Sequence, residues 1–200
     1  MKKIFKYIFA GMAAMSVVAC SEDALETSPS SSVSGNELLG TATNALVSLN
    51  GVYRAMYTAG VSNSSNTHQC FGITAYNLVA DVMGEDCIMN GQGSGWFWYD
   101  CVYNVKSRYT STGWRSYDMW NGYYTWISNV NYILAEEETM SGSETEKNYV
   151  LGQAYAVRAY SYFMLAQMFS RTYKRHESEP CVPLYTCLLY TSPSPRDVEE

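Results

Sequence analysis

The aromatic run at residues 96–100 holds the side chains of this sequence that are best suited to contacting a ligand. It reads Trp-Phe-Trp-Tyr-Asp and follows glycines at positions 91, 93 and 95. Aromatic rings on an exposed loop can stack on the apolar faces of sugars, and a carboxylate accepts hydrogen bonds from hydroxyl groups. The backbone freedom of glycine lets such a loop turn its rings toward solvent. The residues predicted to contact a sugar are Trp96, Trp98, Tyr99 and Asp100.

A packed strand is the competing interpretation of the same run. Alternate residues of a short strand point to opposite faces, so that either Trp96 and Trp98 or Phe97 and Tyr99 would be buried. We expect at least half of these four rings to be buried. The nearby polar side chains that could accompany them at a ligand are Asn104, Arg108 and Arg115.

The rest of the sequence offers little for catalysis or for a cofactor. It has no Walker A, HExxH, G-x-S-x-G or EF-hand pattern, and its two histidines lie far apart. Asp81, Glu85 and Asp86 could supply the carboxylate pair of a glycosidase, but solvated residues at a helix end are the favoured interpretation. Asp86, Asn90 and Asp100 carry oxygens that suit calcium, at a spacing that matches no calcium-binding loop. We therefore expect a protein that is not an enzyme and that uses no cofactor or metal.

Composition narrows the classes of partner. Hydrophobic residues make up 47% of the chain and charged residues 16%, which is typical of a globular protein. The formal net charge is −6. Nucleic acid requires a basic surface, so we exclude it as a partner.

The N-terminus has the layout of a bacterial lipoprotein signal. Lysines at positions 2, 3 and 6 precede an apolar stretch that is too short to remain as a membrane span. Val17-Val18-Ala19-Cys20 resembles a lipobox, which predicts a signal peptide over residues 1–19 and lipidation of Cys20. An ordinary cleavage site with an incidental thiol is the alternative. Residues 20–36 are rich in serine and predict a flexible tether between the anchor and the folded domain.

The C-terminus carries a sequence that looks foreign to the domain. Residues 187–197 read CLLYTSPSPRD, which resembles one translated frame of a transposase-end adapter used in sequencing libraries. A natural tail rich in serine and proline is the alternative. We expect residues 187–200 to be a non-native tail and the domain at residues 37–186 to be truncated.

Cysteine usage fits an exported protein without a metal site. Of six cysteines, Cys20 belongs to the anchor and Cys187 to the tail, which leaves four. Export permits disulfides, and four cysteines allow three pairings, between which the sequence does not choose. Free or purely structural thiols are the favoured interpretation. The four are Cys70, Cys87, Cys101 and Cys181.

Apolar residues recur at three- and four-residue steps along most of the domain, which predicts amphipathic helices. The predicted helices cover residues 37–56, 74–83, 114–138 and 143–169, and Ser143-x-x-Glu146 predicts a capping box at the start of the last one. Residues 85–112 lack this period and predict a long irregular loop with a strand or two. The last two helices predict a hairpin, and Ala159-x3-Phe163 fits the second helix of a tetratricopeptide unit. The predicted fold class is all-α, built on tetratricopeptide-like helical hairpins.

The predicted hairpin carries two motifs. The first is Trp120-x3-Tyr124-x2-Ile127-x3-Asn131-x2-Leu134, and the second is Ala154-x3-Arg158-Ala159-Tyr160-x-Tyr162-Phe163-x-Leu165. Together they resemble the SusD/RagB family of outer-membrane nutrient-uptake lipoproteins. Val182-Pro183-Leu184 resembles the turn that follows in the family, although here the charged residues 172–181 come before it.

The resemblance implies a SusD-like α/α superhelix and a binding function. Such proteins lie on the outer surface of the outer membrane, anchored by lipid, and pass oligosaccharides to a SusC-like TonB-dependent transporter. A lipoprotein whose helices bind another protein, with no role in glycan binding, is one alternative. A fragment of a surface hydrolase is the other.

Overall fold

A computed structural model describes residues 38–61, 64–103 and 113–186 of the chain. Within these ranges there is no strand, and the only β-pairing is an isolated bridge between Thr41 and Ser141. This confirms the predicted all-α class, while the assignment to tetratricopeptide repeats stays a prediction. The α-helices are α1 (Ala42–Ala55), α2 (Ile73–Met83), α3 (Trp98–Cys101), α4 (Trp114–Ala135) and α5 (Glu144–Phe169), with a 3-10 turn at Ser64–Asn66. The predicted signal peptide, Cys20, the tether and the tail at residues 187–200 lie outside the described residues.

Helix α5 begins at the predicted capping box. The Ser143 hydroxyl accepts from the Glu146 backbone N–H, and the Glu146 carboxylate accepts from the Ser143 backbone N–H at 3.0 Å. The buried face follows the predicted three- and four-residue steps: Val150, Leu151, Ala154, Val157, Ser161 and Leu165. Ala156, Ala159 and Phe163 are exposed.

Helix α4 is buried on two sides, whereas its sequence predicts a single apolar stripe. It packs along α5 and contacts α1, and its Trp126 ring lies 6.0 Å from the Tyr76 ring of α2. Trp126 and Tyr123 are therefore core residues that the stripe does not include. Tyr117, one helical turn before Trp120, is half exposed. The helix ends at Ala135, three residues before the predicted end.

Two glycines allow backbone segments to approach closely. Gly72 adopts φ +68°, and a Cβ there would lie 2.0 Å from the carbonyl oxygen of Met56, which accepts from the N–H of Ile73 at 2.8 Å. That bond joins the end of α1 to the start of α2. Gly122 in α4 packs under Tyr76, whose hydroxyl would lie 2.4 Å from an added Cβ. Both positions exclude a side chain for steric reasons.

The two family-like motifs meet in the structure. The Asn131 side chain of α4 accepts from the Arg158 guanidinium of α5 at 2.9 Å and donates to the Tyr185 carbonyl at 2.8 Å. The Tyr124 hydroxyl donates to the Pro183 carbonyl at 2.8 Å. Tyr162 also donates to the Tyr185 carbonyl. Motif side chains thus hold residues 182–185 against the hairpin.

Candidate functional site

The aromatic run at residues 96–100 forms a turn that leads into the single-turn helix α3 (Trp98–Cys101). The Phe97 carbonyl accepts from the N–H groups of Asp100 and Cys101 at 3.1 and 3.0 Å. The predicted strand is therefore wrong for the described part of this loop. Residues three positions apart, and not two, have the same exposure. Phe97 and Asp100 are buried, whereas Trp96 and Tyr99 are exposed.

Phe97 anchors the turn. Its φ of +57° is unusual for a residue with a side chain, and such conformations persist only where neighbouring contacts enforce them. The Phe97 N–H donates to the Gln69 side-chain oxygen at 2.9 Å, and its ring meets the Phe71 ring edge to face at 6.1 Å. These contacts hold the turn against residues 69–71, which lie just before α2.

Asp100 is buried, whereas its place in the aromatic run predicts a side chain that contacts a ligand. Its carboxylate accepts from the Arg115 guanidinium at 2.9 Å, and the two side chains are 6% and 2% exposed. A carboxylate enclosed in this way is not presented to a ligand. We assign Asp100 to holding the turn and correct the prediction that it contacts sugar.

Arg115 lies at the centre of a buried cluster that includes Asp100. It is a core residue, although we expected it near a ligand. Its guanidinium donates to the Gln69 carbonyl at 2.8 Å and lies over the rings of Trp114 and Phe97, at 4.1 and 5.1 Å. Burial lowers the pKa of Arg115 to about 10. The side chain stays charged at neutral pH, because that pKa remains well above 7.

A thiol and a second carboxylate complete the cluster. Asp118 is fully buried and hydrogen-bonds with the Cys70 thiol. Burial, with the nearby charge of Asp118, raises the pKa of Cys70 to about 12, so the thiol is protonated at neutral pH. Each of the four cysteines in the described domain is a free thiol.

The exposed side of the turn also carries His68, which no sequence pattern predicts near the aromatic run. The His68 ring lies 5.0 Å from the Trp96 ring, with an angle of 33° between their planes. Trp96 is 51% exposed, Tyr99 is 57% exposed, and Trp98 is half-buried. His68 is 28 positions from Trp96, so no local pattern could have joined them. Asn104 and Arg108 lie outside the described residues.

The remaining candidates do not form a site in the part of the chain that the structure describes. Asp81, Glu85 and Asp86 are all exposed. Within the described ranges, no three His, Cys, Asp or Glu side chains gather as metal ligands would. None of the described helices is long and apolar enough to cross a membrane.

Comparison with known proteins identifies the family. Neither the curated proteins nor the solved structures contain a match to this chain. The profile of the SusD-like family, described as starch-binding and associating with the outer membrane, matches residues 25–192, which is most of the chain. The match confirms the resemblance carried by the hairpin motifs. The chain belongs to the SusD-like family of starch-binding proteins that associate with the outer membrane.

Proposed function

We propose that this protein captures oligosaccharides at the cell surface and delivers them to a SusC-like TonB-dependent transporter. The observation that carries the proposal is the pair of exposed aromatic residues, Trp96 and Tyr99, on a turn that is held from beneath by the Asp100–Arg115 ion pair. A preformed turn presents its rings without having to order them when the ligand arrives, which lowers the entropic cost of binding.

Trp96, His68 and Tyr99 are the groups we assign to the ligand. The Trp96 ring supplies a flat apolar face, and the neighbouring His68 ring supplies its Nδ1 for a sugar hydroxyl, since its Nε2 contacts the Gln69 amide nitrogen at 3.3 Å. Tyr99 adds a second ring with a polar tip. Trp98 is half-buried, so only the exposed part of its ring is assigned to contact with the ligand.

We propose a binding protein and not an enzyme. A glycosidase needs one carboxylic acid whose pKa is raised, usually by an apolar pocket. Asp81, Glu85 and Asp86 are exposed and do not lie in an apolar pocket. The Asp100 carboxylate is paired with Arg115. No observation favours the hydrolase or the purely protein-binding alternative.

We also propose that Cys20 carries the lipid that anchors the protein to the outer membrane, with residues 20–36 as a tether and the domain facing outward. Cys20→Ala should abolish both partition into detergent and incorporation of radiolabelled palmitate. Labelling that survives the substitution would refute the anchor. Copurification of a TonB-dependent barrel with the wild-type protein, from membranes of the native host, tests the transporter partner.

Calorimetric titration with maltohexaose, cellohexaose, xylohexaose and mannohexaose tests the binding site. Trp96→Ala and Tyr99→Ala should each weaken binding about ten-fold, a scale taken from the stacking of aromatic side chains on nucleobases, which is worth about 1–3 kcal/mol per ring. Tyr132→Ala removes a similarly exposed ring from α4 and should leave the affinity unchanged. Equal affinity in all three variants would show that residues 96–99 are not the site.

A further inference from the structure

A second concave surface lies at the C-terminal end of α5. It is a cleft of about 1050 Å³ between the last turns of that helix and residues 170–181. Pockets for small ligands have volumes of about 300–1,000 Å³, so this cleft is large enough for several sugar rings. The side chains that matter for the argument are Phe163, Gln167, Arg171, Tyr173, His176 and Glu179.

The outer wall of the cleft is a loop closed on itself. The Ser170 hydroxyl donates to the Cys181 sulfur at 2.8 Å, and Arg171 pairs with Glu179 at 3.3 Å. Between these ends, the His176 N–H donates to the Tyr173 carbonyl at 3.0 Å. The ends of the loop therefore lie close together, as in other compact surface loops. Residues 172–181 are also where this chain departs from the family-like pattern of its hairpin.

The lining combines apolar rings with polar groups, some of which already have partners within the loop. Phe163 is 59% exposed and Tyr173 is 79% exposed. The Nδ1 atom of His176 lies 2.9 Å from the Thr172 carbonyl oxygen, which can only accept, so Nδ1 carries a hydrogen and Nε2 is left for other contacts. Arg171 lines the cleft and is paired with Glu179, so the lining leaves no unpaired Lys or Arg for a phosphate, sulfate or carboxylate ligand. Lys174 and Arg175 belong to the same loop but do not line the cleft.

We propose that this cleft binds a neutral oligosaccharide, at a site separate from residues 96–99. Rings that stack on sugar C–H faces stand beside a guanidinium, a carboxylate, an imidazole and an amide, which between them donate to and accept from hydroxyl groups. The choice of an oligosaccharide as ligand rests on the proposed function. The position of this second binding site rests on the cleft alone.

Hydrogen exchange measured by mass spectrometry on the full chain locates each site separately. Maltohexaose, cellohexaose, xylohexaose and mannohexaose are the probes. At least one of them should slow exchange in residues 163–181. In Tyr173→Ala and in Phe163→Ala, at least ten times more ligand should be needed to reach the same protection. Both side chains are too exposed for their removal to unfold the domain. Tyr149→Ala, an equally exposed ring on α5 outside the cleft, is the matched control.

Trp96→Ala distinguishes the two sites. Protection at residues 163–181 that survives Trp96→Ala and is lost in Tyr173→Ala supports the cleft, whether or not residues 96–103 are protected. Protection confined to residues 96–103 overturns the cleft and leaves the proposed function standing. The absence of protection at residues 163–181 with all four hexasaccharides also overturns it.

Discussion

The α4–α5 hairpin and residues 96–100 are both rich in aromatic side chains, and the two regions use them in opposite ways. In the hairpin the rings pack on one another: Trp126 lies edge to face with Tyr123 at 5.0 Å and is 1% exposed. Of the four rings at residues 96–99 only Phe97 is buried, and the turn is fixed by the buried Asp100–Arg115 ion pair. Rings stabilise the first region, whereas a charge pair stabilises the second and leaves two rings in solvent.

The largest expected effect separates these uses of tryptophan. Trp126→Ala should lower the free energy of unfolding by about 3–5 kcal/mol, because it leaves a large cavity in the core. Trp96→Ala should change it by no more than about 0.5 kcal/mol, since an exposed ring has little packing to lose. Trp120, half-buried against Phe169 at 5.0 Å, should fall between them. Urea denaturation of the three variants measures the differences. Comparable losses in Trp126→Ala and Trp96→Ala would mean that residues 96–100 are core.

The next effect tests the ion pair. Arg115→Met should cost about 3 kcal/mol of unfolding free energy, because it leaves the Asp100 carboxylate buried without its cation. The double variant Arg115→Met, Asp100→Leu should recover part of the loss, which denaturant titration of the four-member cycle would quantify. A simple sum of the two single effects would show that the pair does not hold the turn.

The contrast also explains how far the sequence could predict the structure. Helix α5 was predictable because its buried residues repeat at a fixed local spacing behind a capping box. The second buried side of α4 was not, since Trp126 becomes a core residue only when Tyr76 of α2 packs against it. Trp96 and Tyr99 are exposed, and their contact with a ligand stays a prediction. Asp100 was misassigned, because its pairing with Arg115 depends on tertiary contacts that carry no local pattern.

A smaller effect concerns the close contact between α2 and α4. Gly122→Ala should destabilise the domain by about 1–3 kcal/mol, because the new methyl group overlaps the buried Tyr76 hydroxyl. Gly152→Ala on α5 has open space around it and should stabilise the helix by about 0.5–1 kcal/mol. Thermal denaturation compares the two. Adding Tyr76→Phe removes the clashing oxygen and should make Gly122→Ala less costly, and no such coupling would contradict the proposed contact.

The smallest effect appears only at alkaline pH and concerns Cys70 beneath the turn. Burial raises the pKa of this thiol from 9.0 to about 12, so the unfolded chain ionises first. Between pH 9 and 12 the folded state therefore holds a proton that the unfolded state has lost, and stability falls as the pH rises. By pH 10 the resulting loss in the free energy of unfolding is about 1.4 kcal/mol. Denaturant titrations at pH 8 and 10 should show a smaller decrease in Cys70→Ala than in the wild type, because the buried tyrosines titrate in both. An equal decrease would show that the Cys70 thiol ionises as readily in the folded domain as in the unfolded chain.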